Sequence, residues 1–247
     1  MMPYTTLGPF TLPTYTLLLM IAIGVSLARL AYGQPRLIDA GLAGLAGGLI
    51  GGRIVHVLLQ WSYFSAHPTE ITQFNTGGLA WHGAVIGALI GIAIVARLRR
   101  IAWRDLTDRL ALIVPWIGLM AWWGCRENSC SYGIEIANLS AYPSYLVWEA
   151  KDIYGLIAPR YNTQNLGMAF AIALMMILIA LTLTGRLYGR RFGIALISWG
   201  VIMGMLGFLR GDQVLLLNGW RADQGLDLLM IAFGFWSLIP MKETTHV

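Results

Sequence analysis

The sequence predicts an all-α fold: a polytopic integral membrane protein with about seven transmembrane helices, N-terminus outside and C-terminus cytoplasmic. Three observations lead there. Of 247 residues, 57% are hydrophobic and only 12% charged, whereas a soluble domain carries about 25% charge. Mean hydropathy is +0.65. Apolar stretches close to the roughly 20 residues that cross a bilayer core of about 30 Å recur along the whole chain. This composition excludes a soluble globular protein, a disordered chain and a nucleic-acid binder. The net charge of +5 reflects cations, nearly all of them Arg, grouped between apolar runs. That distribution sets membrane orientation and requires no nucleic acid.

The predicted segments are 13–31, 38–60, 79–97, 107–124, 166–184, 192–209 and 225–241. They fill more than half of the chain, so 1–247 reads as a single transmembrane domain. No cation precedes Arg29, so the first segment lacks the charged start of a cleaved signal peptide and is expected to remain. The second opens on a glycine-rich run, Gly41 to Gly52. Small residues let membrane helices approach closely; alternatively, the missing side chains leave a groove for a lipid tail. Arg53 follows directly, with His56 three residues on and on the same helical face. Arg53 either snorkels to the interface or binds phosphate, and its depth and glycine setting favour phosphate.

At the mouth of the third segment, His82 stands between glycines in the run Gly77–Gly83. That space suits a proton-handling or lipid-contacting imidazole. No partner stands at metal-ligand spacing, so zinc is not expected. After the fourth segment comes a stretch of about 125–165, too long for a simple connector. It holds both cysteines, Cys125 and Cys130, which form a disulfide in an oxidising compartment or remain inert thiols. The sixth segment ends at Arg210, with Asp212 two residues later. This is either an interfacial ion pair or a guanidinium fork for phosphate oxygens.

Counting Lys and Arg on alternate sides gives the orientation. Arg29, Arg36, Arg97, Arg99, Arg100, Arg104, Arg109, Arg186, Arg190, Arg191 and Lys242 fall on one side; Arg126, Lys151, Arg160, Arg210 and Arg221 fall on the other. The richer side is cytoplasmic, so the long loop faces outward.

Taken in order, these motifs resemble the prolipoprotein diacylglyceryl transferases of bacterial inner membranes. Leu7-Gly8-Pro9-Phe10 followed by Tyr15 is similar to that family's start of helix one. Gly51-Gly52-Arg53-Ile54 matches its Gly-Gly-Arg-Ile, and Gly78-Leu79-Ala80-Trp81-His82-Gly83 resembles its Gly-Met-Ser-Phe-His-Gly. Asp152-Ile153-Tyr154-Gly155 and Pro159-Arg160-Tyr161-Asn162-Thr163-Gln164 resemble the stretch ending in its Pro-Arg-His-Pro-Ser-Gln. Arg210 with Asp212 resembles its Arg-x-Pro-Asp turn, and Asp223-Gln224 stands where it has Gly-Gln. The likeness spans about residues 7–241.

The resemblance implies transfer of a diacylglyceryl group from phosphatidylglycerol to the thiol of a lipobox-containing preprolipoprotein, with release of glycerol phosphate. No metal or diffusible cofactor is implied. Carried over, His82 and Arg210 would be catalytic, His82 beside the reacting centre and Arg210 on the leaving phosphate. Arg53 would join Arg210 on the phosphate, and Tyr15 would hydrogen-bond the headgroup. Arg160, Gln164, Asp212 and Gln224 would line the substrate site. The chain departs from the family's Gly-Arg-x-Gly-Asn-Phe-x-Asn-Gly-Glu-x-x-Gly: Trp122 stands at the Arg, Cys125 at the Asn and Cys130 at the Glu. Arg126, about one turn on, is the replacement cation. Two alternatives stand beside the transferase: a lipid-binding homologue without this transfer, and a small anion transporter. The chain shows no internal repeat and few charges on its cytoplasmic halves, which counts against the transporter.

Overall fold

A computed structural model describes residues 4–8, 10–74 and 78–239. Pro9, Gly77, Lys242 and the end of the seventh predicted segment lie outside the described residues. Every predicted segment carries a helix. In chain order the elements begin with a hairpin of β1 (Tyr4–Leu7) and β2 (Phe10–Pro13), then α1 (Thr14–Ala31), α2 (Ile38–Leu59), the short α3 (Trp61–Phe64) and α4 (Trp81–Leu98). There follow α5 (Trp103–Ala111), α6 (Ile113–Glu127), a hairpin of β3 (Val147–Lys151) and β4 (Ile157–Tyr161), α7 (Thr163–Leu183) and α8 (Arg191–Gly207). A last small hairpin of β5 (Leu216–Leu217) and β6 (Trp220–Arg221) leads into α9 (Ala222–Leu238).

Among the described residues, four helices are long and apolar enough to cross a membrane: Thr14–Ala31, Pro35–Leu59 (a 3-10 turn continued by α2), Trp81–Leu98 and Thr163–Leu183; Arg191–Gly207 is apolar but shorter. The architecture is that of a membrane protein. Two expectations need correction. The fold is mostly rather than wholly α: among the described residues one short hairpin precedes α1 and two more lie between helices. The segment 107–124 is also not one helix, since the chain turns at Leu112 and divides it into α5 and α6. Pro115 sits in the first turn of α6, where its missing N–H leaves no carbonyl unpaired. Asp108 and Arg109 thereby fall on α5, outside the apolar helix.

The chain forms two compact units. In the unit of Leu27–Leu106, α2 and α4 run antiparallel along a seam of small residues. A methyl group on Gly47 would overlap the Gly87 carbonyl oxygen, one on Gly51 the Gly83 oxygen, and one on Gly91 the Ala43 oxygen. The four-residue spacing keeps these positions on one helix face, so the backbones touch. The glycine run therefore packs helices, as its first reading expects. The same missing side chains leave an open apolar groove of ≈ 420 Å³ lined by Ile50, Ile54, Ile90, Ile94 and seam glycines. Far along the seam, Arg99 pairs with Asp39 at 2.7 Å.

In the other unit, α1 meets α6 through Leu18, Ala22 and Met120, with the Trp116 indole N–H donating to the Ala22 carbonyl at 3.2 Å. Trp199 of α8 fills the space left by Gly118 of α6. Gly193 and Gly200 let α8 close on α9. Asp108 of α5 accepts from the Gly189 N–H at 2.9 Å and pairs with Arg191 at 3.1 Å, both side chains buried, which ties α5 to the turn before α8. Arg191 is therefore a buried structural cation.

Candidate active site

In the Leu27–Leu106 unit, Arg53 is only 4% exposed, so it does not snorkel. Its Nε donates to the Ile71 carbonyl at 2.8 Å, Nη1 to the Gly78 carbonyl at 3.2 Å and Nη2 to the Glu70 carbonyl. The Phe64 and Phe74 rings lie 5.2 and 5.9 Å from the guanidinium carbon. A buried cation thus organises the loop between α3 and α4, satisfying carbonyls that would otherwise be orphaned. Gly78, at φ +77°, sits against both Arg53 and His56, with no room for a side chain. The Ala80 N–H donates to the Gly52 carbonyl at 2.9 Å, fixing the start of α4 beside α2. His82 follows in the first turn of α4, buried, its ring 3.7 Å from that of Trp81. Arg53, His56 and His82 therefore share one end of the α2–α4 pair.

The remaining candidates belong to the second unit. Tyr15 packs on Gly124, which leaves no space for a side chain there. Cys125 and Cys130 form a disulfide, so the thiol alternative does not hold. The Gln164 amide donates to the Cys130 carbonyl at 2.7 Å and the Cys125 carbonyl at 3.3 Å, and Thr163 donates to the Ser131 carbonyl at 2.7 Å. Gln164 and Thr163 thus tie the start of α7 to the cysteine loop. Arg126 is exposed between the cysteines, 5.5 Å over the Trp148 ring.

Downstream of the disulfide, the chain runs extended between two neighbours. The Ile136 N–H donates to the Pro159 carbonyl and the Tyr161 N–H to the Ile134 carbonyl, while on the other edge Gly211 and Ile134 bond the Tyr132 and Leu209 carbonyls. This strip puts Arg160 on one side and Arg210 on the other. Arg160 is buried, pairs with Asp152 at 3.1 Å and Glu135 at 3.6 Å, and lies 5.0 Å from the Tyr132 ring. Asp152 also caps the β3–β4 turn, accepting from the Tyr154 and Leu156 N–H groups at 2.9 and 3.0 Å.

Arg210 belongs to a ring of four charges. Its Nε donates to Asp212 Oδ1 at 2.8 Å and its Nη2 to Asp212 Oδ2, and Nη1 lies 3.5 Å from Asp223. Arg221 makes the reciprocal fork on Asp223 at 3.1 and 3.0 Å and reaches Asp212 at 3.5 Å. Burial opposes the charge on Arg210, but Asp212, with Asp223 and Asp227 beyond it, outweighs burial and raises its pKa further. Gln224, buried in the first turn of α9, donates to the Gly204 carbonyl of α8 at 3.2 Å. Tyr132 lies in the fields of both ion-pair groups. Burial first, then Asp152 and Asp212, push its hydroxyl above the ordinary tyrosine range, with Arg160 opposing.

The family model for prolipoprotein diacylglyceryl transferase matches residues 4–240. The chain belongs to this family. Among its relatives is the phosphatidylglycerol–prolipoprotein diacylglyceryl transferase of Lactococcus lactis subsp. lactis, 25% identical over 92% of this chain and 89% of that protein. The enzyme of the same name from a Nostoc species is 29% identical over 94% and 86%. That of Symbiobacterium thermophilum reaches 33% over 51% of this chain and 50% of its own.

Set against the family's motif, Trp122 is the departure of greatest structural weight. It is 4% exposed, and a methyl group on Gly167 of α7 would overlap its indole. The position is an apolar packing site. Sequence reasoning also missed two members of the ion-pair clusters, Arg221 and Tyr132. The first was signalled by the repeated Arg-x-Asp spacing of Arg210/Asp212 and Arg221/Asp223. Tyr132 had no local signal, because its neighbours come from three separate stretches of chain.

Proposed function

We propose that the chain is a phosphatidylglycerol-dependent diacylglyceryl transferase of the bacterial inner membrane. It crosses the membrane seven times, with its N-terminus outside and its C-terminus in the cytoplasm. The acceptor is the lipobox cysteine of a preprolipoprotein. The carrying observation is the family match along nearly the whole chain, supported by full-length relatives named for this reaction.

In the reaction, the cysteine sulfur attacks the glyceryl carbon that bears the phosphate. A carbon–sulfur bond forms, the carbon–oxygen bond to phosphate breaks, and glycerol phosphate leaves with the bonding electrons. The thiol must shed its proton, since thiolate is the nucleophile. His82, held in the first turn of α4 against Trp81, takes that proton in this reading. Arg210 stabilises charge on the departing phosphate, held in a fixed geometry by Asp212 so that little reorganisation is needed. Arg160 and Gln164 shape the outward stretch of about 125–165, Arg126 offers an exposed cation on it, Gln224 anchors α9, and Tyr15 contributes at the mouth of α1. Arg53 acts by holding the loop that precedes His82.

A second reading is favoured by one observation: Trp122 is packed where the resemblance puts a cation. In that reading the protein binds phospholipid but does not transfer its diacylglyceryl group. Alanine at His82 or Arg210 separates the two. The transferase reading expects each variant to be made and folded yet to lose about 100-fold or more in transfer, as when a transition-state donor is removed. Full activity in both variants would defeat these assignments, and phosphatidylglycerol binding without any transfer by the unmodified protein would favour the second reading.

A further inference from the structure

We infer that Arg221 is a positioning residue for Arg210, clamping the backbone of the 210–212 turn and sharing its counter-ions. This inference rests on the role proposed for Arg210. The clamp is built by the last hairpin. Asn218 and Gly219 both take positive φ, 51° and 83°, the combination that closes a two-residue hairpin. The hairpin pairs Leu216 with Arg221, and the Ala222 N–H donates to the Leu215 carbonyl at 2.9 Å. The chain is thereby folded back so that Arg221 lies over the turn that ends α8.

Its guanidinium then divides its donors. Nη1 donates to the Asp212 carbonyl at 3.0 Å and the Arg210 carbonyl at 3.4 Å. Nε and Nη2 grip Asp223, and Nη2 also faces Asp212 Oδ1 at 3.5 Å. One planar fork therefore holds both backbone and carboxylates, which a lysine ammonium on a flexible stem does not reproduce. The other end of the same turn is held by the Gly211 N–H on the Tyr132 carbonyl at 2.8 Å. These restraints hold the turn that carries Arg210 from both ends. The two guanidinium groups and two carboxylates cancel in charge, and their side chains are only 11–18% exposed. Removing Arg221 alone both loosens the turn and leaves an excess carboxylate facing an anionic headgroup.

The test uses the full chain in detergent with Arg221→Ala, Arg221→Lys and the double variant Arg221→Ala/Asp223→Ala. Transfer from phosphatidylglycerol to a lipobox peptide is measured together with amide hydrogen exchange of residues 209–213. Because Arg210 contacts the headgroup phosphate in the bound lipid as well as on its departure, misaiming it raises KM for phosphatidylglycerol by about tenfold or more in all three variants, whereas a smaller folded fraction lowers only kcat. The double variant restores neutrality but not the clamp, so it is expected to stay impaired. Exchange at 209–213 accelerates in all three, while that of α4 is unchanged. The inference is overturned by a wild-type KM in Arg221→Lys, by recovery in the double variant, or by unchanged exchange at 209–213. If the unmodified chain transfers nothing, the functional reading fails, and the exchange data still decide whether the clamp exists.

Discussion

At the residue scale, Trp122 is a buried packing residue of α6 that presses on α7. Its indole occupies the space that Gly167 leaves on α7. Arg at this position would empty that space and bury an unpaired cation. The expected result for Trp122→Arg is a loss of about 3 kcal/mol or more, combining a packing defect with an uncompensated charge, and no gain in transfer. Thermal unfolding and a transfer assay check this; faster transfer at unchanged stability would contradict it. Arg160 poses the complementary case, since its close partner Asp152 is buried while Glu135 is largely exposed. Asp152→Asn leaves a buried guanidinium without its main counter-charge and also weakens the acceptor of two turn amides. A loss of about 3–5 kcal/mol is expected, read as a lower unfolding temperature.

At the scale of elements, the α2–α4 seam gives the sharpest expectation. Gly87→Ala places a methyl group on the Gly47 carbonyl oxygen, whereas Gly24→Ala in α1 meets nothing within 4 Å. The first should destabilise the protein by about 1–3 kcal/mol through overpacking, and the second should be neutral or slightly stabilising because alanine favours helix. The cysteine loop is a second such element. Cys130 is flanked by Ser129 and Ser131 at φ 56° and 51°, a conformation that L-residues adopt at a cost. The disulfide and Gln164 hold it there. Cys125→Ser/Cys130→Ser is expected to lose about 2 kcal/mol, as for closure of a small loop, with thermal unfolding then insensitive to reductant.

The seam was legible from sequence because small residues four apart declare a helix face. The hairpins were not read, since a search for runs of about 20 apolar residues passes over strands of two to five. Yet Asn218-Gly219 is a local hairpin signal. The carbonyl partners of Arg53 come from a loop that returns later in the chain, and Gly167 is likewise remote from Trp122. Non-local contacts of this kind leave no trace in periodicity.

For the whole molecule, composition alone announces a membrane protein, and the order of motifs announces the family. The helices α6, α8 and α9 are shorter than those that meet the length for crossing. The proposed seven crossings therefore rest on the apolar segments and the outward N-terminus on the charge count; cysteine-accessibility mapping of the 97–104 and 135–160 stretches tests the orientation from the two faces. Label reaching the first stretch only from the cytoplasmic face is expected, and the reverse would invert the topology. The central claim is the transfer itself. Purified protein in detergent, given labelled phosphatidylglycerol and a lipobox peptide, is predicted to yield peptide bearing a thioether-linked diacylglycerol, with glycerol phosphate released in equal amount. A peptide with serine at the lipobox cysteine should stay unmodified. Phosphatidylglycerol bound by the protein but never transferred to the cysteine would contradict the account.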